Sequence, residues 1–120
     1  MNDIYKVLTE NEWNEACLKG YIDTPLDQED GFIHFSSARQ LALTLQLYFK
    51  NEENLVLLQI DTSKLNEEII FEEVNSKNRK GKFPHLYGKL SVNDVLDRWN
   101  IGRGAFKLPN NILATAEKNI

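Results

Sequence analysis

The chain has 120 residues, 42% of them hydrophobic, which suits one domain with a single core and not two. Its formal net charge is −4, and the nearest thing to a basic run is Lys77-Asn78-Arg79-Lys80-Gly81-Lys82, so broad nucleic-acid binding through phosphate contacts is excluded. A lone cysteine rules out an internal disulfide, no apolar stretch approaches a membrane span, and Met1–Lys6 lacks signal-peptide character, so a soluble cytoplasmic protein is expected.

In chain order, residues 3–8 favour a strand. Thr9 caps a helix, with Glu12 completing a capping box, and Gly20 ends it. Trp13, Ala16 and Cys17 fall at i, i+3, i+4 and are expected to face inward, which makes Cys17 a small core residue rather than a nucleophile. Tyr21 to Asp30 reads as a loop, with Thr24 held extended by Pro25. Gly31-Phe32-Ile33-His34-Phe35-Ser36-Ser37 reads as a short apolar strand running into a helix capped by Ser36 or Ser37. That helix spans Ser37 to Phe49, with Leu41 and Leu45 on its apolar face.

Leu55 to Ile60 is an unbroken apolar run and is read as a central strand buried on both faces. Asp61 to Leu65 starts as a capped turn, and Ile69 to Val74 is a strand. Residues 75–82 form a polar, charged loop. His85 to Gly88 is a short strand closed by Gly88. Residues 91–101 fit either a turn at 92–94 followed by a strand or one longer helix, and turn plus strand is the preferred reading. Gly102-Arg103-Gly104 is a turn, Phe106 to Pro109 is extended, and Ile112 to Ile120 is a weak helix or a frayed end. The pattern indicates an α+β domain over residues 1–109 with a mixed or antiparallel sheet and two main helices, and residues 110–120 as a C-terminal tail.

The chain holds two histidines, and each lies on a short aromatic strand. His34 and His85 are therefore candidate acid/base groups lining one pocket. A zinc site would need a third ligand from Glu72, Glu73 or Asp61, and no close-spaced metal motif supports one. A Gly-x-Ser-x-Gly elbow and a Rossmann glycine motif are also missing. The start of the helix after His34, with Ser36, Ser37, Arg39 and Gln40, offers donors and positive potential to an anion.

Taken together, Glu12-Trp13, Gly20-Tyr21, Gly31-Phe32-Ile33-His34-Phe35-Ser36, Gln40, Tyr48-Phe49, Leu57 to Asp61, Leu65, Phe71-Glu72 and Phe83-Pro84-His85-Leu86-Tyr87-Gly88 resemble the small bacterial family known as domain of unknown function 952. The resemblance runs from about residue 3 to about residue 109. It implies an ADP-ribosyltransferase-like fold, a split α+β sheet that binds NAD in a cleft. In poly(ADP-ribose) polymerases and RNA 2′-phosphotransferases a strand carries His-Gly-Ser or His-Gly-Thr, and His34-Phe35-Ser36 stands at those positions. The resemblance then gives His34 to a ribose hydroxyl and Ser36 to the nicotinamide amide, with Phe35 in place of the glycine. It also suggests Glu72 as the counterpart of the transferase glutamate.

Two functions are carried forward. One is a cleft enzyme in which His34, His85 and Glu72 act on an NAD-like, ADP-ribose-like or other phosphorylated molecule held by Ser36, Ser37, Arg39, Gln40 and Tyr87. The other is a binding module that kept the fold without the chemistry.

Overall fold

The computed structural model describes residues 3–49, 51–73, 81–102 and 112. The elements in order are β1 (Ile4–Thr9), α1 (Glu10–Lys19), β2 (Tyr21–Ile22), α2 (Pro25–Asp30), β3 (Ile33–His34), β4 (Ser36–Ser37), a 3-10 turn at Ala38–Gln40, and α3 (Leu41–Tyr48). There follow β5 (Asn54–Ile60), a 3-10 turn at Thr62–Lys64, β6 (Ile69–Glu73), β7 (Lys82–Leu86), β8 (Leu90–Ser91), a 3-10 turn at Val92–Asp94, and β9 (Val95–Gly102). No helix among the described residues is long and apolar enough to cross a membrane.

The strands form a four-stranded sheet in the order β4-β1-β5-β9, a three-stranded sheet β3-β7-β6, and a two-stranded pair β2-β8. Every pairing among the described residues is antiparallel, so the fold is α+β, and the mixed-sheet alternative falls away. The period of two along β1 and β5 divides the core. Ile4, Leu8, Val56, Leu58 and Ile60 face the three-stranded sheet, where they meet Ile33 and Leu86. Tyr5, Val7, Leu55 and Leu57 face the other way, against Leu41 and Leu45 of α3. Trp13 is half-buried at the edge of the first cluster.

Local chemistry explains most boundaries. Thr9 and Glu12 form a reciprocal capping box, and Gly20 closes α1 in the left-handed region at φ 89°. Ser91 caps its 3-10 turn before β9, as the turn-plus-strand reading expects. Ser37 holds the N-cap position before α3, but the first turn is 3-10 rather than α.

Three expectations need correction. Cys17 is exposed, because α1 buries Ala16 and leaves the neighbouring row in solvent. Residues 25–30 are helical rather than loop: Thr24 caps, Pro25 takes the first turn, and Asp27 completes a second capping box. The strand around His85 starts at Lys82 and takes in Pro84, a residue type that usually argues against a middle strand. Of the expected loop at 75–82, residues 75–80 lie outside the described residues and Lys82 is in β7; of the expected turn at 102–104, Gly102 is in β9 and the rest, like the extended piece at 106–109 and the tail, lies outside them, apart from Ile112, which is buried in the second cluster.

Candidate functional site

The three-stranded sheet brings the candidates together. β3 and β7 pair so that Ile33 faces Leu86 and His34 faces His85. β6 and β7 pair so that Ile70 faces His85 and Glu72 faces Phe83. Side chains alternate along each strand, so His34, His85 and Glu72 share the face away from Ile33 and Leu86, with Glu72 diagonal to His85. Phe32 and Tyr87 lie two residues from His34 and His85 and join the same face.

The geometry is compact. The two imidazole centroids are 5.6 Å apart and meet edge to face. The Phe32 ring lies 4.6 Å from His34, 4.1 Å from His85 and 5.2 Å from Tyr87, so it joins the cluster from within. His85 is buried and its Nδ1 lies 2.9 Å from Glu72 Oε1. The Tyr87 hydroxyl donates to the same oxygen at 2.7 Å. These bonds, from Tyr87 first and His85 next, hold the Glu72 carboxyl below its ordinary range. The bond to Glu72 correspondingly raises the Tyr87 phenol.

His34 is held by α2. Its Nδ1 is 2.7 Å from Asp27 Oδ1 and its Nε2 is 2.8 Å from Asp30 Oδ2. Its backbone N–H also donates to Asp27, at 3.0 Å. Lys6, on the face of β1 between Ile4 and Leu8, sends its ammonium to both Asp27 oxygens at 3.1 and 3.0 Å and to the His34 carbonyl at 2.8 Å. Burial alone would raise the Asp27 carboxyl; the bonds from His34, the Lys6 charge and the Thr24 N–H outweigh it and hold the group well below the usual range. Burial lowers the Lys6 amine, and Asp27 opposes that shift only in part. Asp27 collects four donor groups, and Lys6 reaches the Asp27 carboxylate and the His34 carbonyl.

Not every candidate joins this face. Ser36 is buried and its hydroxyl bonds to Thr44 Oγ1 at 2.7 Å. The Ser37 N–H donates to Gln40 Oε1 at 3.0 Å, and the Gln40 amide donates to the Lys82 carbonyl at 2.7 Å. Arg39 is exposed on the 3-10 turn. Ser36 does share a cavity of about 230 Å³ with His34, Lys6, Asp27, Phe35 and Thr44. Phe35 is buried in the first core cluster rather than stacked among the imidazoles. No group of three or more metal-ligating side chains forms among the described residues.

Lys6, Asp27, Asp30 and Phe32 are the site residues that sequence reasoning missed. Thr24-Pro25-Leu26-Asp27 carries a helix-start signature that would have placed Asp27 on a first turn, four residues before Gly31. Lys6 carried a weaker signal, as a cation inside an otherwise apolar strand.

An antiparallel α+β domain with an imidazole–carboxylate face is the class that these features define. The chain belongs to the family described as "Protein of unknown function (DUF952)", which matches residues 7–98. It is similar to protein CC0527 from Caulobacter crescentus. The X-ray crystal structure of that protein is 34% identical, with a TM-score of 0.72, over 82% of this chain and 84% of that one. Its solution NMR structure is 35% identical, with a TM-score of 0.70, over 85% and 86%. No curated protein matches the chain.

Proposed function

We propose that the face formed by β3, β7 and β6 binds and processes a small molecule of the NAD or ADP-ribose type, in keeping with an ADP-ribosyltransferase-like reading of the fold. The observation that carries this is the pairing of His34 with His85 at 5.6 Å, with Glu72 fixed beside them by two donors.

Carboxylates accept hydroxyl donors, and Phe32 and Tyr87 offer flat apolar surface, so the face suits a sugar bearing a ring. A ribose attached to nicotinamide fits that description. Glu72, kept ionised, would favour positive charge developing at the ribosyl carbon as the bond to the base breaks. His34 would meet a ribose hydroxyl through Nε2, and His85 would orient Glu72. The phosphates of such a ligand would not lie among three carboxylates. The stretch that leads into α3, with Ser36, Ser37, Arg39 and Gln40 on β4 and the 3-10 turn, is the proposed place for them.

The burial of Phe35 where transferases carry glycine favours a second reading, a binding module without transfer chemistry. Titration calorimetry with NAD, ADP-ribose and simple nucleotides, on the wild type and on His34→Ala and Glu72→Gln, separates the two. The enzyme reading expects a ligand whose affinity falls in His34→Ala, and nicotinamide release from NAD that Glu72→Gln abolishes. Binding that neither variant weakens would move the site elsewhere. Binding without turnover favours the module.

A further inference from the structure

Lys6 and Asp27 are side chains of opposite charge with only 4% and 2% exposure, and few charged side chains among the described residues are buried. Such a pair is costly to bury, and apolar residues of similar size would often stabilise as well or better. Lys6 occupies a position on β1 where Ile4 and Leu8, on the same face, are core. The contacts of the pair converge on one residue. Asp27 takes the backbone N–H and Nδ1 of His34, and Lys6 takes the His34 carbonyl. His34 is gripped at three atoms, so neither its strand position nor its ring rotation is free.

We propose that Asp27, balanced by Lys6, is the positioning residue for His34. It holds the imidazole as the Nδ1–H form and turns Nε2 toward the open side as the working atom. Asp30 meets Nε2 at 2.8 Å and yields it to a ligand hydroxyl. Carboxylate oxygens only accept, so both contacts are hydrogen bonds at once only when the ring carries two protons. A hydroxyl both accepts and donates, so its arrival lets Nε2 change its proton count while Nδ1 stays fixed. Among the described residues the Phe32 and His85 rings also lie beside the His34 ring, with centroids 4.6 and 5.6 Å away. This deepens the reading given above and rests on it for the ligand step; the grip on the ring stands apart from it.

The test uses the two histidines against each other, with ¹⁵N spectra of the imidazoles in the whole chain. In the wild type, His34 Nδ1 should read as a protonated nitrogen. Asp27→Asn should weaken that signature. Lys6→Met/Asp27→Leu removes both charges together and, once a cooperative melt has shown it folded, should abolish it, leaving Asp30 to draw the proton to Nε2 while the His85 spectrum is unchanged. A folded double variant with the wild-type His34 tautomer would overturn the proposal, as would equal changes at both histidines. Calorimetry with ADP-ribose on the same proteins gives the second readout. If ADP-ribose binds the wild type, its affinity should fall at least tenfold in the double variant; unchanged affinity counts against the proposal. If no nucleotide binds the wild type, the functional reading fails, and the ring signals alone decide the role of Asp27.

Discussion

His34 and His85 stand directly opposite each other on neighbouring antiparallel strands, with their rings edge to face at 5.6 Å. Residues in such contact do not contribute independently to stability. A double-mutant cycle with His34→Ala and His85→Ala should give a coupling of about 0.5–3 kcal/mol in urea melts. Additivity within error would mean that the two rings are neighbours without interaction.

The Lys6–Asp27 pair should show the asymmetry of buried ions. Asp27→Ala strands the ammonium of Lys6 and should cost about 3–5 kcal/mol, whereas Lys6→Met/Asp27→Leu should cost less, because no buried charge is left unpaired and only the N–H groups of Thr24 and His34 lose their acceptor. The Asp27 carboxyl is depressed in the folded protein. Its contribution is therefore present above the unfolded aspartate value of about 4 and lost as pH falls below it. Urea stability should hold between neutral pH and about pH 5, then decline, and the double variant should lose part of that decline.

Glu72 should report its own partners. Tyr87→Phe removes the donor at 2.7 Å, so the Glu72 carboxyl should titrate at higher pH in ¹³C spectra. Any ligand that needs the carboxylate would then lose affinity at a higher pH than in the wild type. An unchanged Glu72 titration would show that the tyrosine bond is not made in solution.

Leu57 is fully buried between β1 and β9, against α3. Leu57→Ala should cost about 2–5 kcal/mol in urea melts. A loss under about 1 kcal/mol would be out of line with a closely packed centre of the larger sheet.

What could be read from the chain was local. The capping box at Thr9 depends on residues three apart, the cap of Ser91 on the turn that follows it, and the buried β5 on an unbroken apolar run. All are visible without knowing the partner strands. The two histidines also stood out, since each sat on a short aromatic segment. The link from Glu72 to His85 and Tyr87 depends on β6–β7 register, which no spacing in the chain displays. Asp27 was hidden differently. Thr24-Pro25 reads as an extended break, but the same pair is also an N-cap followed by proline in the first turn, and Asp27 completes the cap of a helix. Cys17 shows the reverse error: helical spacing names two adjacent rows as inward, and packing buried only one of them.

A ligand seated on the imidazole–carboxylate face would touch both histidine rings. The most direct test is to titrate ADP-ribose into the ¹⁵N-histidine-labelled protein and follow both imidazoles. Saturable shifts are expected at His34 and His85 together, with one binding constant, and their disappearance in Glu72→Gln or, for the remaining ring, in His34→Ala. Saturable binding measured by calorimetry with both imidazoles unmoved would contradict a ligand on that face.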